Sequence, residues 1–208
     1  MSQVHVVNHP VVAHWLRVLR DKHTPPPTFR QALDIVTHLL LYAATQDLET
    51  EPVDVETPLE ATQGTRLKSR VGFAPILRAG LGMIPAALHL FPQAQVWHLG
   101  FYRDETTLQP VEYYDPFRHK ACTVDVAYIL DPMLATGGSA VAAAHKLKEW
   151  GVPKVVFVGL IAAPEGVALL EKHHPDVPIY VAVVDRQLND QGYILPGLGD
   201  AGDRQFGT

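Results

Sequence analysis

Apolar and polar positions alternate in two different rhythms along this chain, with a break near residue 46. In the first part, Phe29, Leu33, Val36, Leu40 and Ala43 recur every three or four residues and make one apolar stripe. That spacing predicts a helix, opened by Thr28 with Gln31 as a capping box. An earlier helix is expected from Pro10, a residue suited to a first helical turn, to about Lys22. The stripe is expected to pack into a core, with a subunit face as the alternative. Residues 46–70 change character: they are charged, contain Thr and Pro, and alternate only weakly. They predict a short β excursion or arm rather than core.

From residue 71 a second rhythm begins. Apolar β-type runs fall at 71–76, 95–101, 124–130, 155–161 and 179–184. Helix-compatible segments at 81–90, 139–150 and 165–173 separate most of them. Strands apolar on both faces, alternating with helices, argue for an α/β fold with a parallel sheet covered on both sides. Sheets of that kind place ligands beyond the carboxyl ends of their strands. The loops that follow the runs are therefore where chemistry is expected.

Composition narrows the classes. The 208 residues suit one domain, 1–208, with 46–70 inserted as the arm. Apolar residues make up 47% of the chain, enough for a sizeable core, and charged residues 19%. Seventeen Lys and Arg against twenty-two Asp and Glu give a net charge of −5, the wrong sign for a protein that grips nucleic-acid phosphates, and no clustered basic run is present. A single cysteine, Cys122, excludes an intramolecular disulfide framework and a Cys-rich zinc site, and it is expected near the core. The opening MSQVHVVNHP has neither a basic cluster nor a long apolar run, so no signal peptide is expected. The longest clean apolar stretch, 155–163, is far shorter than the roughly 20 residues of a membrane helix. A cytoplasmic protein with no membrane partner is expected.

The segment that carries chemistry follows the third run. An apolar strand ends in Asp131, and Pro132, Met133, Leu134, Ala135, Thr136, Gly137, Gly138 and Ser139 lead into a helical stretch. Glycines let main chain approach a ligand and adopt positive φ. Free amides at a helix start, with the dipole behind them, favour a phosphate. Thr136 and Ser139 add hydroxyls, and Asp131 is placed to accept bonds from sugar hydroxyls. Two other phosphate loops are excluded. A Walker A loop needs Lys after its last Gly, where Ser139 and Ala140 stand; a dinucleotide fingerprint begun at Gly80 and Gly82 fails at Pro85.

The string from Asp131 to Ser139 resembles the phosphoribosyl-pyrophosphate (PRPP) loop of the type I phosphoribosyltransferases, and DPMLATGGSA resembles their uracil-specific branch. PILRAGLGM at 75–83, YRDETTLQP at 102–110 and GYILPGLGDAGDRQFGT at 192–208 support the likeness, which covers nearly the whole chain. It implies a parallel sheet with helices on both faces, plus a small hood at 186–208 that selects uracil. It implies transfer of a phosphoribosyl group from PRPP to uracil, giving UMP and diphosphate. The donor would be held by Arg78, Arg103, the run 131–139 and Asp200. Uracil would be read by Ile194, Gly199, Asp200 and Ala201, and Asp131, Arg103 and Asp200 would be the catalytic groups.

Physical reasons accompany these assignments. An Arg beside small residues, as in Leu77-Arg78-Ala79-Gly80, can present its fork and nearby amides to diphosphate oxygens. The long polar stretch 102–122, carrying Arg103, Asp104 and Glu105, is expected to act as a lid that excludes water from an activated ribose. Uracil presents acceptor, donor, acceptor along one edge. Gly197, Gly199 and Gly202 let main chain come close enough to read that edge, and Pro196 stiffens it.

Other features weigh less. Eleven histidines do not fall into a metal-binding spacing, so no protein-held metal is expected. Mg²⁺ is expected as a cofactor held mainly by PRPP and water. A triad built on Ser139 lacks a nucleophile elbow. Asp185-Arg186 reads equally as a strand-end ion pair or as part of the site. Gln187 and the final Thr208 depart from the family pattern and leave the role of 185–191 open. The resemblance further implies a homodimer or homotetramer and activation by GTP. Two rival functions stand beside this one: an RNA-binding pyrimidine regulator on the same scaffold, and the same transfer onto another base.

Overall fold

A computed structural model of the chain describes residues 4–103, 110–114 and 121–208; of 101–103 and 110–114 it describes only the backbone. The two opening helices are α1 (Pro10–Arg20) and α2 (Pro26–Ala44). His9 caps α1, its Nδ1 accepting the Val11 amide at 3.1 Å. The expected capping box at Thr28 is not formed, because α2 starts earlier, with Pro25 as N-cap and no side-chain cap bond. Prolines at the first helical positions lack the N–H groups that a cap would satisfy. The stripe on α2 is buried at Phe29, Leu33, Val36 and Leu40, but its last member is Ala44 rather than Ala43.

The central sheet is entirely parallel, in the order β1-β11-β10-β8-β4-β5. Its strands are β1 (Val4–Val6), β4 (Val71–Pro75), β5 (Gln95–Val96), β8 (Val126–Leu130), β10 (Lys154–Ala162) and β11 (Ile179–Val184). A short β9 (Met133–Leu134) also pairs with β10, beyond the end of β8. The edge strand β1 has no expectation behind it: three residues are too few to show a period. The run 95–101 divides, with only its first residues in the sheet and its last joining a separate hairpin of β6 (Gly100–Arg103) and β7 (Pro110–Tyr114). Residues 46–70 hold the hairpin of β2 (Thr50–Glu56) and β3 (Ala61–Leu67), which pair only with each other.

Every residue of β4 and β8 is buried, as strands covered on both faces require. Alternate side chains feed two cores. Phe73, Tyr128, Leu130, Val156 and Val158 face α1 and α2; Ala74, Ala127, Ile129, Val155 and Phe157 face α4 (Gly138–Glu149) and α5 (Pro164–His173). Burying each of the larger side chains contributes roughly 1.5–3 kcal/mol.

The topology positions the site. The chain leaves β4 through a 3-10 turn (Ala79–Met83) and α3 (Ile84–Leu90) to β5 on one side, and leaves β8 through α4 to β10 on the other. Neighbouring strands whose connections diverge leave a crevice between their carboxyl ends. Arg78 stands on one rim of that crevice and Asp131 on the other.

Candidate active site

Asp131 sits where the sheet is interrupted. Strand β8 ends at Leu130, two residues step aside, and β9 resumes alongside the outer half of β10. The step is held by Asp131 N–H donating to Val158 O at 3.2 Å and by the amides of Leu160 and Ile161 donating to Pro132 O at 3.0 and 3.1 Å. It needs Gly159, since a Cβ there would lie 2.6 Å from Asp131 O. The half-buried Asp131 accepts the Met133 amide at 3.3 Å. Burial pushes its carboxyl pKa up to about 7; the Met133 bond opposes that rise and the nearby charge of Asp200 adds to it.

Met133 is half-buried and lines the site cavity, while Pro132 and Leu134 are buried beneath it. Ala135 and the exposed Thr136 carry the chain over the sheet edge to Gly137, the N-cap of α4. Gly137 has φ of +85°, and a Cβ there would stand 2.8 Å from Gly166 O. Gly166, in the first turn of α5, is equally constrained: its Cβ would meet Ala135 O at 2.4 Å. The start of one helix is thus pressed against the loop that starts the other. Gly137 offers no side-chain cap, so the first amides of α4, from Gly138 and Ser139 onward, are free for an anion. Outside its chain neighbours and its own helix, nothing lies within 4 Å of the Cβ position of Gly138.

Across the crevice, the Leu77–Arg78 peptide is cis. Arg78 is exposed; its guanidinium donates to Asp203 Oδ1 at 2.9 Å and to Thr208 Oγ1 at 3.5 Å. A Cβ on Gly202 would be 3.1 Å from Asp200 Oδ1 and 3.8 Å from Arg78 NH2, so Arg78 and Asp200 share one corner. The 3-10 turn after Arg78 is seated by buried Gln205, whose Nε2 donates to Ala79 O at 2.9 Å. Arg103 is the last residue of β6; its side chain lies outside the described residues, as do Asp104 and Glu105.

The C-terminal stretch forms β12 (Gln187–Leu188), β13 (Ile194–Leu195) and α6 (Ala201–Phe206). Its turn at 189–193 is closed by Asn189 Oδ1, which accepts the amides of Gln191 at 3.0 Å and Tyr193 at 2.9 Å. Glu165 of α5 accepts the Leu188 amide at 3.0 Å, tying this hood to the phosphate side. Ile194 and Ala201 are buried, Gly199 is exposed with φ of +79°, and Asp200 caps α6 by accepting the Asp203 amide at 2.9 Å. A cavity of about 230 Å³ joins the two regions: Met133, Ala135, Gly192, Tyr193, Ile194 and Asp200 line it together with Gln191. Residues of the 131–139 loop and of the C-terminal hood therefore share one wall. No group of three or more His, Cys, Asp or Glu among the described residues is arranged to hold a metal ion by itself.

Several supporting residues escape sequence reasoning. Gly159 left a signal, a glycine inside an otherwise apolar strand, which marks close backbone approach. Gly166 left none, because a glycine in the first turn of a helix has many explanations. Asp185 is resolved as a structural pair with Arg20, 165 positions away and beyond the reach of any local pattern.

This arrangement has known counterparts. Residues 6–208 match the model of the uracil phosphoribosyltransferase family. The chain is 55% identical over 208 residues to the uracil phosphoribosyltransferase of Roseiflexus sp. (strain RS-1), covering all of both chains. It is 49% identical over 209 residues to that of Bacillus pumilus (strain SAFR-032), again covering both completely. The solved structure of the AQ2163 protein from Aquifex aeolicus superposes with a TM-score of 0.89 at 37% identity, over 98% of each chain. A hypoxanthine-guanine phosphoribosyltransferase from Bacillus anthracis shares the fold alone, with a TM-score of 0.50, 11% identity, and 77% and 80% of the two chains covered. An acid at the strand tip, a glycine pair opening α4 and a C-terminal hood over the same crevice, matched along virtually the full length, place the chain in the uracil phosphoribosyltransferase family.

Proposed function

We propose that this chain transfers the 5-phosphoribosyl group of PRPP to uracil, forming UMP and releasing diphosphate in pyrimidine salvage. The observation that carries the reading is the shared wall: Met133 and Ala135 of the phosphate loop line the same small cavity as Ile194 and Asp200 of the hood. A ribose phosphate seated on α4 then presents its anomeric carbon toward a flat base in that cavity. The free amides of α4 and the hydroxyls of Thr136 and Ser139 hold the 5′-phosphate. Asp131 accepts ribose hydroxyls, while Arg78 and Arg103 take the diphosphate.

The bond from the anomeric carbon to diphosphate breaks early, and uracil nitrogen closes from the opposite face as its proton leaves. Asp200 lines the cavity proposed for the base and is the proposed proton acceptor. Its Oδ1 is engaged by the α6 amide, which fixes the carboxylate in place. Catalysis is then mainly positioning and charge stabilisation. The site suits Mg²⁺ carried in with the donor: the carboxylates of Asp131 and Asp200 are near enough to influence each other, and no complete protein cage is formed among the described residues. Held there by these carboxylates and the donor, Mg²⁺ would supply positive charge to the diphosphate.

No described helix is long and apolar enough to cross a membrane, and the cytoplasm is the proposed compartment. A homodimer or homotetramer is proposed; the β2–β3 hairpin, with Leu59 at 95% exposure, and Tyr42 at 70% are surfaces suited to subunit contact. Activation by GTP is proposed on family membership alone. The deciding experiment incubates the protein with PRPP, Mg²⁺ and each of uracil, cytosine and hypoxanthine. UMP formation from uracil alone is expected; product from another base, or none, overturns the reading. RNA binding that weakens with salt would favour the regulator instead.

A further inference from the structure

The base side of the site is held by an ion pair that lies outside it. Arg20, the last residue of α1, forks onto both oxygens of Asp185 at 2.9 and 2.6 Å. The same guanidinium donates to the main-chain oxygen of Gly197 at 2.7 Å, and Asp185 Oδ2 accepts the Gly197 N–H at 3.1 Å. One pair therefore fixes both polar groups of a single residue in the proposed uracil edge. The Asp185 side chain is 4% exposed and that of Arg20 is 25% exposed. Gly197 closes the turn tightly: its φ is +64°, and a Cβ would fall 2.1 Å from Ile194 O. Arg186 N–H donates to Leu195 O at 3.0 Å, so the chain just after Asp185 grips the other end of the same turn.

We infer that Arg20 and Asp185 are positioning residues for uracil: they set where the peptide edge 194–199 stands and so determine affinity for the base and its discrimination from cytosine. The inference rests on the proposed reading of 194–201 as the base-recognition edge. A planar, bidentate fork on a buried carboxylate is a geometric device more than a stabilising one. Hydrogen bonds that read a base edge must be held within about half an ångström, which a glycine-rich loop cannot do unaided. Arg20 makes its side-chain hydrogen bonds to Asp185 and Gly197 and none to the run 131–139.

Arg20→Lys keeps the charge but cannot span Asp185 and Gly197 O together. It is expected to raise the KM for uracil at least tenfold and to narrow the preference for uracil over cytosine, with the KM for PRPP within twofold of wild type. Asp185→Asn is expected to act in the same sense. An unchanged uracil KM, or equal rises in both KM values, overturns the inference. So does loss of a cooperative melt in both variants, because the pair is then a requirement of the fold. Amide hydrogen exchange on the wild type separates the two levels. If uracil fails to protect 194–201, the assignment of the base edge is wrong; protection there with unaltered variants rejects only the role of the pair.

Discussion

The two halves of this site are built in opposite ways. The phosphate half is made by nine consecutive residues, 131–139, resting on the middle of a parallel sheet and pressed by α5. The hood is made by a stretch with little regular structure, anchored to the first two helices by arginines on both sides of the contact. Arg204 donates to Leu19 O, to Leu198 O at 2.8 Å and to Asp21 O at 2.6 Å, and stacks over Phe29 at 4.6 Å. Arg30 donates to Gln205 O at 2.6 Å, and Arg20 holds Gly197. A loop made locally has its geometry fixed by main-chain sterics. A loop held by remote side chains has a geometry that changes in the first helices can adjust. On the proposed reading, the donor meets the rigid half and the base meets the adjustable one.

The sharpest way to break that contrast is to attack the sterics. Gly137→Val puts a β-branched residue at φ of +85° with its Cβ 2.8 Å from Gly166 O. Strain of roughly 1–3 kcal/mol joins the loss of one or more charge-assisted bonds to phosphate, each about 1.5–3 kcal/mol. At about 1.4 kcal/mol per decade, kcat/KM for PRPP is expected to fall at least a hundredfold, with a lower melting temperature. Asp131→Ala removes the ribose acceptor and is expected to lower turnover at least tenfold; wild-type turnover would remove Asp131 from the mechanism. Gly138→Ala separates fold from function. No atom outside its chain neighbours and its own helix lies within 4 Å of the added methyl, so the melting temperature should hold, while a methyl beside the α4 amides proposed to bind phosphate is expected to raise the PRPP KM several-fold. If that variant melts early instead, the position is not free of packing and the contrast between the halves weakens.

The same contrast explains what was legible in the sequence. The parallel sheet was readable because strands buried on both faces leave unbroken apolar runs, as in 126–130 and 155–161. The strand–loop–helix form of 126–149 was readable because its parts are contiguous and each has a local reason: acid at a strand end, glycines, then a helix. Three things were not readable. The edge strand at 4–6 is too short to carry a period. The start of α2 was misplaced because the expected cap competed with prolines that need no cap. The anchoring of the hood depends on partners as far apart as Arg204 and Leu19, 185 positions in sequence, and no pattern within either segment encodes the other.

The smallest effect concerns protonation of Asp131, whose pKa stands at about 7 chiefly because it is buried. The ionised carboxylate is the stronger acceptor for ribose hydroxyls. Ionisation rises about threefold between pH 6.5 and 7.5 for a group with that pKa. PRPP affinity, measured by calorimetry in the absence of uracil, is expected to rise by about that factor over the same interval. Stability of the free protein runs the other way. Between about pH 4 and 7 the folded chain keeps a proton that the unfolded chain has lost, so this group's contribution falls as pH rises through that window and then levels off. Asp131→Asn should flatten both trends. Asp200→Asn should leave the affinity profile in place but shift it to lower pH, since the Asp200 charge is one of the forces holding the Asp131 proton on. An unshifted profile would mean the two carboxylates do not sense each other across the cavity, and the wall joining the rigid half to the adjustable half would lose its electrostatic link.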